Sequence, residues 1–167
     1  LFTPQNVETS SFTVHSVIIG VDFHWQRKEE QVFRGKLKLI VEEDIITLVN
    51  ILSVEEYLIS VISSEMSSGS SEEFLKAHAV ISRGWLLAQM EKRNTLSRQS
   101  SAYSAYSRSD DEIVRWYDRE DHKHYDVCAD DHCQRYQGIT RASDPVVRKV
   151  IDETYGEVLT YNGSICD

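Results

Sequence analysis

The feature that most limits what this chain can fold into is a change of period at Ser53. Upstream, Phe12, Val14 and Ser16 alternate with Thr13, His15 and Val17, and Leu37, Leu39 and Val41 alternate with Lys36, Lys38 and Ile40. A period of two is the mark of extended chain with one face covered. A turn is expected over Arg27 to Glu30, and a second strand from Val32, with Gly35 as a bulge or a point of close approach. Ile45 to Leu52 is a third, β-branched run. From Ser53 the period becomes helical. Ser53 with Glu56 forms a capping box, and Tyr57, Leu58, Val61 and Ile62 fall on one face. A chain that changes period once in this way is expected to be α+β: an antiparallel strand region, then helices.

The rest of the chain extends that plan. After a Ser/Gly stretch, Ser70 with Glu73 reads as a second capping box, and Phe74, Leu75, His78, Ile81, Ser82, Trp85 and Leu86 mark a long helix to about Lys92. Residues 95–109, rich in Ser and carrying Tyr103 and Tyr106, are expected to form a long loop. Further on, Asp144 can cap a helix with Pro145 in its first turn. Val147, Val150, Ile151 and Thr154 form its apolar stripe, and Gly156 ends it. Val158 to Tyr161, Asn162-Gly163 and Ser164-Ile165 read as a C-terminal β-hairpin, cut short. There is no internal repeat and no second domain, so residues 1–167 are expected to be one domain, truncated at its C-terminus.

Charge narrows the partners. The formal net charge is −9 and the sequence pI about 5.1. A duplex nucleic acid calls for a basic face, so no nucleic-acid partner is expected. Nothing in the charge opposes a neutral carbohydrate. No apolar run approaches the roughly 18–20 residues of a membrane span. The first residue is Leu1 rather than Met, which reads as processing or trimming and leaves export open.

Glu65 is the first candidate for chemistry. It lies seven residues after Leu58 and three to four after Ile62 and Val61, on the apolar face of its helix. A carboxyl facing a core is unusual, and desolvation is expected to raise its pKa toward neutrality, as a general acid requires. On the next helix Lys76 and Arg83, seven residues apart, share a face with Ala79 and Val80. They are expected to steady Glu65, to bind polar substrate groups, or to be an ordinary solvated face.

A second candidate is the polar segment 121–137. Cys128, His132 and Cys133, with His122 or His124 upstream, offer four borderline-soft ligands within a short stretch, a set that tetrahedral zinc favours. The alternative is a Cys128–Cys133 disulfide, which an exported protein could carry. Asp130 and Asp131 are expected in a turn or beside a metal rather than on it.

Tyr57-Leu58, then Ser64-Glu65-Met66, then Glu73 and Leu75-Lys76-Ala77-His78-Ala79-Val80 with Arg83, resemble the signature of the SpoIID/LytB family over about 30 residues. The Arg34-Gly35-Lys36-Leu37 segment and the Pro145 helix with Gly156 resemble it too. Three positions depart: His78 stands where that family often has Gln, and Gly84-Trp85 where Thr-Tyr is common. These departures are expected to reshape the groove without touching Glu65.

The resemblance implies a lytic transglycosylase with Glu65 as its acid/base. Such an enzyme cleaves peptidoglycan between N-acetylmuramic acid and N-acetylglucosamine and leaves a 1,6-anhydro end. It implies an extracytoplasmic protein whose partner is the glycan strand. A family member with a zinc site of two His and two Cys points to His122, Cys128, His132 and Cys133 as a closed, structural zinc site, His122 fitting better than His124. Gln134 and Tyr136, next in the chain, would then be set in the glycan groove. The LytB branch implies a different role, a wall-binding module or an enhancer of a cell-wall amidase.

Overall fold

The computed structural model describes the chain apart from residues 7–8, 68, 99–105, 112, 116–121, 130–131, 143–144 and 167. Asp144, Tyr103, Asp130 and Asp131 therefore lie outside the described residues.

The N-terminal half forms two antiparallel hairpins. Strands β1 (Phe12–Ile19) and β2 (Arg27–Phe33) make the first, and β3 (Lys36–Glu42) and β4 (Ile45–Ile51) the second. The turn expected over Arg27 to Glu30 lies earlier: Arg27 already pairs with Ile19, so the reversal occupies residues 20–26. The alternation in β1 also changes phase. The register shifts between Val14 and Val17, with Ser16 at φ 58°, so Phe12 and Val14 turn inward before the bulge and Val17 and Ile19 after it. Gly35 is no bulge within a strand; it joins the hairpins at φ +86°, where an added Cβ would lie 2.5 Å from the Ile51 carbonyl oxygen. Glu43 and Asp44 both have positive φ, as the tight β3–β4 turn needs.

Helix α1 (Val54–Glu65) starts where the period changes. Ser53 is its N-cap, its hydroxyl accepting from the Glu56 N–H. Helix α2 (Glu72–Arg98) starts one residue later than the Ser70 box implies: Ser71 Oγ accepts from the Phe74 N–H. It also runs past Lys92, into the segment expected to be loop. Its buried stripe is Leu75, Ala79, Ser82, Arg83 and Leu86, while Phe74 and Ile81 face solvent. Short strands β5 (Tyr106–Arg108) and β6 (Ile113–Arg115), which the sequence did not announce, pair antiparallel.

Helix α3 (Pro145–Glu153) buries Val147, Val150 and Ile151, with Thr154 buried just beyond its end. Gly156 follows at φ +72°. Strands β7 (Thr160–Tyr161) and β8 (Ser164–Ile165) close the expected hairpin, Asn162 and Gly163 both at positive φ. Among the described residues the fold is α+β, with antiparallel strand pairs and three helices. One core joins Leu58, Val61 and Ile62 of α1, Leu75 and Ala79 of α2 and the α3 stripe, with Phe33, Tyr57 and Tyr136 at its edge. No helix among the described residues is long and apolar enough to cross a membrane.

Candidate active site

Glu65 ends α1, its side chain 27% exposed, where α2 and the segment after Cys133 converge. Its Oε2 lies 3.1 Å from His78 Nε2, and its Oε1 accepts from the Arg135 backbone N–H at 3.0 Å. Burial pushes the carboxyl pKa up, but the hydrogen bonds from His78 and Arg135 outweigh it and hold Glu65 below the ordinary carboxylate range. The rise expected from desolvation is therefore reversed, because two donors reach the carboxylate. His78, expected to leave Glu65 untouched, is one of them.

The structure does not bring Lys76 or Arg83 to this carboxylate. Arg83 is 1% exposed and holds Glu55 through two bonds, Nε to Oε1 at 3.0 Å and Nη2 to Oε2 at 2.6 Å, while Nη1 donates to the Glu157 carbonyl at 3.0 Å. It neither lies on a solvated face nor points toward Glu65, because α2 turns that face onto α1 and the segment after α3. Lys76 pairs with Glu73 and Glu153 at the surface.

The segment after Cys133 packs on both hairpins. Gln137 N–H donates to Ser60 Oγ at 3.1 Å, and Ile139 N–H to the Val32 carbonyl at 2.7 Å. Gly138 makes this approach possible, since a Cβ there would lie 2.2 Å from the Val32 oxygen. Tyr136 is buried, stacks on Tyr57 and donates its hydroxyl to Asn50 Oδ1. Asn50 in turn donates to the Arg34 and Lys36 carbonyls. Burial pushes both phenols, Tyr57 and Tyr136, well above their ordinary range, so they are neutral hydroxyls. Gln134 donates to the Ser82 carbonyl at 3.3 Å.

The hydrogen bonds of Gln134 and Tyr136 thus go to Ser82 and Asn50 rather than to Glu65. A cavity of about 540 Å³, lined by Phe33, Asn50, Tyr57, Leu86, Tyr136 and their neighbours, does not include Glu65. A smaller one of about 170 Å³, between Trp25, Gln31 and Ile18, is lined by Arg135, whose N–H holds Glu65.

The four His and Cys side chains come together. One ligand atom each from His122, Cys128, His132 and Cys133 lies within 4.8 Å of all the others. His124 instead pairs with Glu42 at 2.7 Å, tying this segment to β3. No disulfide joins Cys128 and Cys133. The N···S separations of 3.4 Å (His122–Cys133), 3.5 Å (His132–Cys133) and 3.9 Å (Cys128–His132) can be set against a metal polyhedron. A tetrahedron with Zn–S of about 2.3 Å and Zn–N of about 2.0–2.1 Å has N···S edges of about 3.5 Å. The group could hold a metal ion.

A family model described as SpoIID, stage II sporulation protein, matches residues 42–161, well over half of the chain. The chain belongs to the SpoIID family. The match takes in Glu65, His78, Arg83 and the His/Cys group of this SpoIID domain, and leaves β1 and β2 outside it. No curated protein and no solved structure matches the chain.

The sequence pointed to Glu65 and to the His/Cys quartet, but not to His78 or the Arg135 N–H as partners of Glu65. The only signal for His78 was its departure from the family's Gln. The Arg135 contact is made by backbone and leaves no trace in residue type.

Proposed function

We propose that this SpoIID domain is a peptidoglycan lytic transglycosylase acting outside the cytoplasm, with Glu65 as its acid/base. The observation that carries the reading is a single carboxylate at the end of α1, held at both oxygens and still 27% exposed, in a chain of this family. Glycan cleavage to a 1,6-anhydro end moves one proton. The C6 hydroxyl oxygen of N-acetylmuramic acid bonds to C1, the bond from C1 to the departing sugar's O4 breaks, O6 loses a proton and O4 gains one. One carboxyl group that accepts and delivers that proton is sufficient, and no second carboxylate is needed to activate water. The ionised resting form suits the accepting half of this exchange.

His122, Cys128, His132 and Cys133 would hold a zinc ion. Four protein ligands leave it no open position, so its contribution is to fix the segment that carries Arg135 and Tyr136. Arg83 and Lys76 serve the scaffold in this reading, and Gln134 and Tyr136 shape the segment behind Arg135.

The test is digestion of peptide-stripped glycan strands by the wild type and by Glu65→Gln, with products read by mass spectrometry. Anhydro ends from the wild type alone are the expected result. Glycan bound by both proteins and cut by neither would overturn the enzyme reading in favour of a wall-binding or amidase-enhancing module.

A further inference from the structure

Glu65 has a neighbour that its own helix does not supply. His78 reaches it from α2, its Nε2 3.1 Å from Oε2, with the side chain only 14% exposed. Its other ring nitrogen, Nδ1, is buried and has no hydrogen-bond partner among the described residues. A proton on Nδ1 would be a buried donor left unmet, which is costly, so the neutral ring carries its proton on Nε2. That proton points at Glu65. The Arg135 N–H points at the other oxygen from a different part of the chain.

We propose that His78 is a positioning residue for Glu65: its Nε2–H fixes the rotation of the carboxylate and, with the Arg135 N–H, holds it as an acceptor facing the glycan. What Glu65 acts on rests on the transglycosylase reading above; the contact itself does not. Among the described residues the other ionisable group acting on Glu65 is Arg135, which lowers its pKa; Glu65 in turn helps to raise the buried phenol of Tyr57 on α1, which stays neutral. Neither fixes the Oε2 side of the carboxylate. With both oxygens accepting, the carboxylate cannot turn away from the proton it must take from the C6 hydroxyl. A Gln at position 78 offers an amide N–H of similar reach, whereas Leu offers none.

The experiment uses the full chain as wild type, His78→Gln and His78→Leu, with ¹³C-labelled glutamate carboxyls. The Glu65 resonance, assigned through Glu65→Gln, is titrated by NMR, and cleavage of peptide-stripped glycan is measured in parallel. In His78→Leu the Glu65 midpoint is expected to move to higher pH and kcat to fall about tenfold with KM held. In His78→Gln both are expected to return most of the way. If His78→Leu does not fold, His78→Asn takes its place, since its shorter amide stops short of Oε2. An unchanged Glu65 midpoint in the Leu or Asn variant overturns the proposal, whether or not glycan is cut. A midpoint that moves as expected in a protein that cuts no glycan upholds the positioning role and overturns the transglycosylase reading instead.

Discussion

Two donors on one carboxylate decide how Glu65 responds to acid. Its folded-state pKa lies below the ordinary value, so the stability it contributes is present above about pH 4.3, the unfolded carboxylate value, and is lost as pH falls toward the folded value. Glu65→Gln imitates the protonated form at every pH. The variant is therefore expected to be less stable than wild type at pH 7 in urea denaturation, with the gap closing below about pH 4. A gap that is constant from pH 7 to pH 3 would show that ionisation of Glu65 is not what the two donors stabilise. The position of Glu65 was legible because Leu58, Val61 and Ile62 fix the inward face of α1. The sign of its pKa shift was not, because the donors come from residues 13 and 70 positions away. Arg83 misled for the same reason: seven-residue spacing set it in line with Lys76, but only packing shows that this line turns inward at Arg83.

Caps and turns proved more readable than side-chain partners. Ser53, the N-cap of α1, and the Asn162-Gly163 turn between β7 and β8 are local chemistry, settled within four residues. Ser53→Ala is expected to lower stability by about 1 kcal/mol, measured as a shift of the denaturation midpoint with an unchanged slope. No change would mean that Glu56 N–H finds water at no cost. Two neighbouring serines, by contrast, defeated the reading of α2. Ser70 and Ser71 can each cap, and the choice between them falls to Ser71, whose hydroxyl meets Phe74 N–H. The bulge in β1 was hidden because Ser16 carries no apolar side chain to reveal the change of phase. Strands β5 and β6 span three residues each, too short for alternation to declare them.

Across the molecule, the His/Cys group has consequences far from its ligands. His122 and Cys133 bracket a segment clamped to β3 through His124 and Glu42, and the chain that follows runs past Glu65 to the edge of β2. In the zinc reading, metal bound there would stabilise the folded state by mass action. Wild type is expected to carry about one zinc per chain by elemental analysis. Cys128→Ser is expected to lose it and to melt several degrees lower, as is the wild type after chelation. A metal-free wild type with a melt indifferent to chelator would remove the zinc reading and leave the Glu65 contacts standing. The quartet was visible because its members lie close in sequence. The contact of the neighbouring Arg135 with Glu65 was not, because it is made by a backbone N–H.

The buried guanidinium of Arg83 also says where a recombinant fragment of this protein can safely stop. Among the described residues its Nη1 donates to the Glu157 carbonyl, and Gly84 lies so close to β8 that an added Cβ would sit 3.1 Å from the Cys166 oxygen. A fragment ending at the close of α3 would keep every helix yet leave a fully desolvated cation short of an acceptor and the back of α2 uncovered. The stretch from Glu157 to Cys166 therefore belongs to the minimal folding unit, and an expression boundary belongs beyond β8.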